Sequence, residues 1–445
     1  MTAEAVAQAR DRTLLSVDLQ EAWPVLSAEE RLEGLRLLPY AEAEDFLLSL
    51  SSRDQAELIL GTSPGERRSW MRLLAPDDAA DVIQAAPEEE RDGLLALLDE
   101  PTRLEVSALL KYAEDDAGGL MNPRYARLRP EMRVDEAISY LRRQARERLE
   151  TIYYVYVLDA EQRLLGVVTF RELFAASPER TVADIMHTDV VTAEEEMDQE
   201  ALSRLFADTN FLAIPVVDKE GRVKGIVTVD DIVDVVQEEA TEDIQKFGGM
   251  AALDAPYLDI GFWRMLRKRA GWLSALFIGE MLTATAMGRF EDDIARAVVL
   301  ALFVPLIISS GGNSGSQAST LVVRALALGE VKLRDWWRVV RREFAAGVAL
   351  GTILAVIGFI RILTWQAMFH TYGDHYLLIA CTVAGSLVGV VTWGTLAGSM
   401  LPLGLRQLGF DPASASAPFV ATLVDVSGIV IYFTVASLLL RGILL

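Results

Sequence analysis

The sequence predicts a multidomain membrane protein, with an all-α helical-repeat N-terminal domain, an α/β repeat, a connecting helix and a five-helix α-helical transmembrane domain. Three observations carry this prediction. Residues 1–261 hold 27 basic and 54 acidic residues, whereas residues 262–445 hold 15 and 10. Long apolar runs occur only in the second part, and the segment before them repeats itself once. An acidic soluble part is therefore expected to precede a membrane part.

Residues 1–127 predict a cytosolic domain of short stacked helices. Pro64, Pro76 and Pro87 each stand before acidic or polar residues and then an apolar stripe, which is typical of a helix start. Paired helices of this kind stack into a solenoid. The first 15 residues lack the apolar core of a signal peptide, so we expect this part to stay on the side of the membrane where it is made.

Residues 128–237 contain the repeat. Residues 158–169 match residues 217–228 at a constant offset of 59, and each copy predicts strand, turn, strand and helix. This pattern and the shared signature G-h-h-T-x-x-acid resemble tandem CBS domains, at about 131–180 and 181–237. In nucleotide-binding CBS pairs the acid at this place bonds ribose. The resemblance thus implies that Thr228 and Asp231 could bind ATP or another adenosine nucleotide.

Residues 238–261 link the repeat to the membrane domain of residues 262–445. The membrane domain has five charge-poor stretches long enough to span a bilayer, which needs about 20 residues each. They lie at about 266–288, 294–324, 343–367, 376–402 and 416–440. Basic residues precede the first span and cluster between the second and third, which predicts that the soluble domains are cytoplasmic.

Asp425 lies in the middle of the last predicted span. A lone carboxylate in hydrocarbon is costly, so it should face the bundle interior or water. One interpretation is a structural carboxylate paired with Thr422 or Ser427, and the other is a pore carboxylate that binds a cation. Glu280, in the first span, is a further carboxylate at membrane depth.

The second span contains the sequence PLIISSGGNSGSQ at residues 305–317. Its glycines, together with Asn313 and Gln317, predict a helix that is broken or bent. Unwound backbone and amide side chains supply the hard oxygen ligands that Mg²⁺, Ca²⁺ or Na⁺ prefer. Close packing of helices through small residues is the alternative, and both could hold.

These motifs resemble the MgtE family of magnesium channels and transporters. Residues 305–329 are similar to its second-helix signature, P-x5-GGN-x-G-x-Q-x6-R-x-x-A-x-G, and ATLVDVSGIVIY is similar to its last-helix motif, which holds the pore aspartate. The order of helical domain, CBS pair, plug helix and five spans is also the family's. The resemblance implies an inner-membrane homodimer with Asp425 at the two-fold axis, contacting a hydrated Mg²⁺ ion.

The resemblance further implies that cytosolic Mg²⁺ closes the pore by binding acidic residues. The candidates that match by motif are Asp77, Asp81, Asp198, Glu200, Asp231, Asp234, Glu239, Glu242 and Asp243. Each alone is also compatible with a solvated surface acid. Asn210 stands where the family often has an acid, which would weaken a sensor site. Asp411, in a predicted cytoplasmic loop, is a candidate for ion entry.

Several functions are excluded or left open. The net charge of −27 over residues 1–261 argues against a nucleic-acid partner. One cysteine, three dispersed histidines and the absence of a nucleophile motif or P-loop argue against an enzyme. Exchange of Mg²⁺ against Na⁺ or H⁺, and a nucleotide-sensing receptor without transport, remain alternatives to a channel.

Overall fold

The computed structural model describes residues 16–145, 149–253, 257–258 and 260–440. Its chain divides into two compact units, Met1–Val236 and Gln237–Leu445. The prediction about a signal peptide falls on residues 1–15 and lies outside the described residues, as does part of the predicted connection, residues 254–256 and 259.

The first unit begins with short helices, as predicted. They are α1 Ser16–Ala22, α2 Ala28–Leu37, α3 Tyr40–Leu48, α4 Ser52–Gly61, α5 Pro64–Met71, α6 Pro76–Ala85, α7 Glu88–Leu95, α8 Glu100–Leu109 and α9 Ala117–Leu120. Pro64 and Pro76 occupy the first turns of α5 and α6, and Pro87 directly precedes α7. Helices α2, α4, α6 and α8 pack in a row, which is the solenoid arrangement that the sequence predicts.

Two three-stranded sheets follow. Their elements are β1 Arg127–Leu128, α10 Val134–Gln144, β2 Tyr154–Leu158, β3 Leu164–Thr169, α11 Phe170–Ala175, β4 Ala193–Glu194, α12 Gln199–Thr209, β5 Ala213–Val217 and β6 Val223–Thr228. In both sheets a parallel pair is followed by an antiparallel pair with an irregularity at the same position. The hairpins keep the offset of 59, so the predicted repeat is present in the fold.

The two hairpins bond to each other at their turns. The backbone N–H of Leu164 donates to the Gly221 carbonyl at 3.0 Å, and that of Val223 donates to the Gln162 carbonyl at 3.1 Å. Gln162 and Gly221 are equivalent positions, and both have positive φ, 66° and 77°. Helix α13, Val229–Phe247, begins directly after β6 and runs into the second unit.

The second unit contains the long apolar helices. They are α14 Phe262–Arg289, α15 Glu291–Arg296, α16 Val298–Ala301, α17 Val304–Ala327, α18 Trp336–Phe369, α19 Tyr376–Gln407 and α20 Ala417–Leu440. Within the described residues, five helical segments are long and apolar enough to cross a membrane, which confirms the predicted number of spans. Helix α19 packs against α17, α18 and α20, and α14 packs on α20.

The predicted break at the GGNSGS segment is wrong. Helix α17 runs through it without interruption, and the irregular backbone lies earlier, around α15 and α16. The glycines serve close packing instead. A Cβ atom at Gly394 or Gly398 of α19 would collide with the carbonyl oxygen of Gly311 or Gly315 of α17, respectively. The small-residue interpretation is therefore the correct one for these glycines.

Candidate functional site

A cavity of about 380 Å³ lies in the second unit among helices α14, α17 and α20. Its polar lining includes Glu280, Thr283, Asn313, Ser316 and Asp425. These side chains offer carboxylate, amide and hydroxyl oxygens, which are the ligands that hard cations such as Mg²⁺ prefer. The cavity thus brings together Asp425 and Asn313, the two pore residues predicted from the sequence.

Asp425 does not pair with either hydroxyl proposed as its structural partner. Thr422 donates its side-chain hydroxyl to the Pro418 carbonyl at 3.0 Å, and Ser427 donates to the Leu423 carbonyl at 2.7 Å. The carboxyl group of Asp425 instead lies beside that of Glu280 on α14, within reach of a hydrogen bond. Neither hydroxyl therefore supplies the structural pairing that the sequence suggested for Asp425.

Asn313 reaches the cavity because α17 has two different faces. Gly311, Gly315 and Ser314 are buried on the side of the neighbouring helices, whereas Asn313 is exposed. Ser314 and Thr395 also bond each other across the α17–α19 contact at 2.7 Å. One face of α17 therefore packs closely against the neighbouring helices, and the amide side chain of Asn313 lies on the other face. The helix does not need to unwind for this.

A second group in this unit joins the end of α13 to the loop before α20. The ammonium group of Lys246 lies 2.7 Å from the carboxylate of Asp411 and also forms an ion pair with Glu242. Burial alone would lower the pKa of Lys246, but the hydrogen bonds to Asp411 and Glu242 outweigh it and raise that pKa. Glu242 and Asp411, which were both predicted as ion ligands, thus both form ion pairs with Lys246.

In the first unit, an acidic cluster forms around Asp77, Glu150 and Asp231. Asn122 holds two of its members together, since its side-chain amide donates to Asp77 at 3.1 Å and to Glu150 at 2.7 Å. Asp77 is only 8% exposed. Asp231, in the first turn of α13, accepts from the hydroxyl of Thr228 at 2.8 Å and from its backbone N–H at 3.3 Å.

The pKa values of this cluster are strongly raised. Burial, with added repulsion from Asp78, Asp231 and Glu150, raises the pKa of Asp77 to about 9. Burial also raises the pKa of Asp231 to about 7, against the lowering effect of its hydrogen bonds from Thr228. A cation would relieve both effects, because it supplies the positive charge that the buried carboxylates lack.

The other predicted regulatory residues lie outside this cluster. Asp198 caps α12 by accepting from the backbone N–H groups of Glu200 and Ala201, and Glu200 forms an ion pair with Arg204. Asp234 is exposed, and the remaining candidates are partly exposed: Asp81, Glu239 and Asp243. Asn210 ends α12 with φ 55°, a left-handed conformation that asparagine adopts more readily than most residues.

The structure thus assembles only some of the predicted sites. Among the described residues, no three His, Cys, Asp or Glu side chains are arranged ready to hold a metal ion. Sequence reasoning missed the parts played by Asn122, Glu150 and Lys246. Their type alone gave no signal, whereas Glu280 could have been paired with Asp425 as the other carboxylate expected at membrane depth.

Comparison with protein families gives consistent matches along the chain. Residues 304–435 match the MgtE divalent cation transporter model, and residues 14–115 match the MgtE intracellular N domain. Residues 117–179 and 182–238 match the CBS domain. A solved structure described as the cytosolic domain of the Mg²⁺ channel MgtE in complex with ATP is 43% identical, covering 52% of this chain and 97% of that one, with a TM-score of 0.48.

Whole-length relatives extend this result. The magnesium transporter MgtE of Thermus thermophilus is 42% identical over 429 residues, which cover 96% of this chain and 93% of the relative. The magnesium transporter MgtE of Bacillus subtilis is 31% identical, covering 90% of this chain and 87% of the relative. With these matches over nearly its whole length, the chain belongs to the MgtE family of magnesium transporters.

Proposed function

We propose that this protein carries Mg²⁺ across the inner membrane as a homodimer and is closed by cytosolic Mg²⁺. The observation that carries the transport role is the cavity beside Asp425, where carboxylate, amide and hydroxyl oxygens meet at membrane depth. Mg²⁺ gives up its water reluctantly, so contact through bound waters is expected. A doubly charged ion gains roughly 4.6 kcal/mol per 100 mV of membrane potential, which drives inward flow without ATP hydrolysis.

The proposed orientation rests on the basic residues that flank the spans. Arg264, Arg267, Lys268 and Arg269 precede or open the first span, and six more basic residues lie between positions 324 and 342. Because such residues are retained on the cytoplasmic side, the acidic soluble domains are expected there as well. Membership of a transporter family also agrees with the prediction that the chain is not an enzyme.

Gating is proposed to begin at the acidic cluster of Asp77, Glu150 and Asp231. Mutual repulsion and burial oppose ionisation of these carboxylates, so a divalent cation that neutralises them stabilises their close arrangement. Asp231 lies in the first turn of α13, and Lys246 lies in its last turn. This helix is therefore the covalent connection through which cation binding at Asp231 is proposed to influence the contact between Lys246 and Asp411.

The remaining ligand assignments stay predictions of the sequence. They concern Asp81, Asp198, Glu200, Asp234, Glu239, Glu242 and Asp243. The same holds for binding of ATP or another adenosine nucleotide by Thr228 and Asp231. These two side chains bond each other in the structure, so a nucleotide would have to compete with that contact.

The proposal is tested by Mg²⁺ flux in proteoliposomes, with Mg²⁺ varied on the side of the soluble domains. We expect influx in the wild type to stop as this Mg²⁺ rises, and Asp425→Ala to abolish influx at every concentration. Asp374→Ala is the matched control, because Asp374 is an exposed aspartate of the same unit that does not line the cavity.

The alternatives predict different results. Unchanged flux in Asp425→Ala would contradict the pore assignment. Flux that requires an opposing Na⁺ or H⁺ gradient would indicate a coupled exchanger. Absence of flux in the wild type, with intact nucleotide binding, would indicate a receptor without transport.

A further inference from the structure

Glu280 is the acidic residue of helix α14, near the middle of a span that is otherwise free of charge from Gly271 to Gly288. A charged side chain at this depth must face a protein interior or water rather than lipid. Helix α14 contributes no buried residue within the chain, and it packs mainly on α20. A carboxylate on α14 would be costly in lipid. The polar lining of the cavity therefore explains how Glu280 is tolerated on this helix.

The position of Glu280 is fixed by the packing of its neighbour. A Cβ atom at Gly279 would lie 3.0 Å from the Cγ2 atom of Thr422, so glycine allows α14 to approach α20 closely at this level. Thr422 lies one turn before Asp425 on α20. The close approach brings the carboxyl groups of Glu280 and Asp425 within hydrogen-bonding reach of each other.

A second observation at the same place indicates a polar ligand. Thr283 lies one turn after Glu280, lines the same cavity, and has a buried hydroxyl oxygen without a hydrogen-bond partner in the described part of the chain. A buried polar atom without a partner is costly unless water or an ion satisfies it. Asn313 and Ser316 supply further oxygens from α17.

The size of the cavity suits a hydrated ion. Water occupies about 30 Å³ per molecule in the liquid, so a Mg²⁺ ion with six waters takes roughly 200 Å³. The cavity, at about 380 Å³, exceeds this volume. A hydrated divalent cation therefore fits in the cavity beside the two carboxyl groups and the amide of Asn313.

From these contacts we propose that Glu280 is a specificity-determining residue of the transport site, a second carboxylate that binds the permeant divalent cation together with Asp425. The inference rests on the proposed function, because it assigns Glu280 to the site of the Asp425 cavity. Two ionised carboxylates within hydrogen-bonding reach of each other repel unless a nearby cation balances their charge. A divalent cation balances both charges, whereas a monovalent cation balances only one, so the pair favours Mg²⁺ over Na⁺.

The experiment measures Mg²⁺ and Na⁺ flux in proteoliposomes for the full-length wild type and for Glu280→Gln, Glu280→Asp and Asp425→Ala. For Glu280→Gln we expect the Mg²⁺ concentration at half-maximal flux to rise by roughly tenfold or more, because half of the charge of the pair is lost. The ratio of Mg²⁺ to Na⁺ flux should fall as well. Glu280→Asp keeps the charge and should restore most of both quantities.

Glu343→Gln is the matched control, since Glu343 lies on α18 and does not line the cavity. Wild-type concentration dependence and ion preference in Glu280→Gln, with flux abolished in Asp425→Ala, would overturn the role of Glu280 and leave the proposed function intact. A lower maximal flux with unchanged half-maximal concentration, not restored by Glu280→Asp, would also overturn it, because that pattern indicates structural damage. Unchanged flux in Asp425→Ala would overturn both proposals.

Discussion

The two copies of the CBS repeat place an acid at the same position in nearly the same local geometry. In the first copy Thr169 donates its hydroxyl to Glu172 at 2.7 Å, and in the second Thr228 donates to Asp231 at 2.8 Å. Each acid thereby sits at the start of the helix that follows the hairpin. The local sequence determines this arrangement, because the hydroxyl and the acid are three residues apart.

The surroundings of the two acids shift their pKa values in opposite directions. Burial would raise the pKa of Glu172, but hydrogen bonds from His187 and Thr169 outweigh it and lower that pKa. The ring of His187 lies 2.6 Å from the Glu172 carboxylate. For Asp231, burial and the charges of Asp230 and Glu150 together raise the pKa to about 7, against the lowering effect of the hydrogen bonds from Thr228.

This difference indicates why a cation would act on only one copy. In the first copy, Glu172 already contacts a ring nitrogen of His187. In the second copy, Asp231 lies near the carboxylates of Asp77 and Glu150. The two copies therefore share a helix start, while only the second places its acid in a cluster of buried carboxylates.

Replacement of Asp77 should change stability most. Its pKa of about 9 lies above the ordinary 3.8, so ionisation opposes folding and stability falls as pH rises between these values. At pH 8 without Mg²⁺, Asp77→Asn should raise the free energy of unfolding by about 3 kcal/mol, because folding no longer requires the side chain at position 77 to take up a proton. At pH 4 the gain should nearly vanish. Thermal unfolding of the full-length protein in detergent measures both.

The effect of Mg²⁺ on stability is the second measurement for Asp77→Asn. The wild type should gain stability from Mg²⁺ at pH 8, and Asp77→Asn should gain much less. Asp189→Asn, at an exposed aspartate of the first unit, is the control and should behave as the wild type. Equal gains from Mg²⁺ in all three proteins would show that the cluster does not bind the ion.

The pair Asp231→Asn and Glu172→Gln tests the contrast directly. At pH 8 without Mg²⁺, Asp231→Asn should raise the free energy of unfolding by about 1–2 kcal/mol, since an amide oxygen still accepts from Thr228 and the raised pKa no longer matters. Glu172→Gln should lower it by about 0.5 kcal/mol, because an exposed charge-assisted contact with His187 is lost. Chemical denaturation measures the free energy of unfolding of the two variants in parallel. Changes of the same sign would contradict the contrast between the two copies.

The sequence predicts the repeat but not this contrast. The matching segments around residues 158–169 and 217–228 determine hairpin, turn and helix start locally, so their fold could be predicted. The pKa of Asp77 is raised partly by the charge of Asp231, which lies 154 residues later in the chain. Nothing in the local pattern of either segment shows that they meet.

The glycines of the second span show the same limit. Gly311 and Gly315 were compatible with a broken helix or with close packing, and their own sequence could not decide between them. Their partners, Gly394 and Gly398, lie on a helix some 80 residues later. Asp425 and Asn313 could be predicted because charge and amide groups are conspicuous in apolar spans, whereas their contact with Glu280 required the packing of α14 on α20.

The smallest effect is expected at the turns that join the two hairpins. Gln162 and Gly221 share positive φ, a conformation that costs a residue with a side chain about 1 kcal/mol and glycine almost nothing. Gly221→Ala should therefore lower the free energy of unfolding by about 1 kcal/mol, although the space around it is open. Gln162→Gly should raise it by less than about 1 kcal/mol, since it removes strain but loses the bond from Arg127.

Gly65→Ala separates conformation from space in this comparison. Gly65 lies in helix α5 with nothing near its missing Cβ, as at Gly221, but its φ is not positive. Alanine should therefore stabilise the protein at position 65 and destabilise it at position 221. Destabilisation of similar size at both positions would mean that positive φ is not what makes alanine unfavourable at position 221.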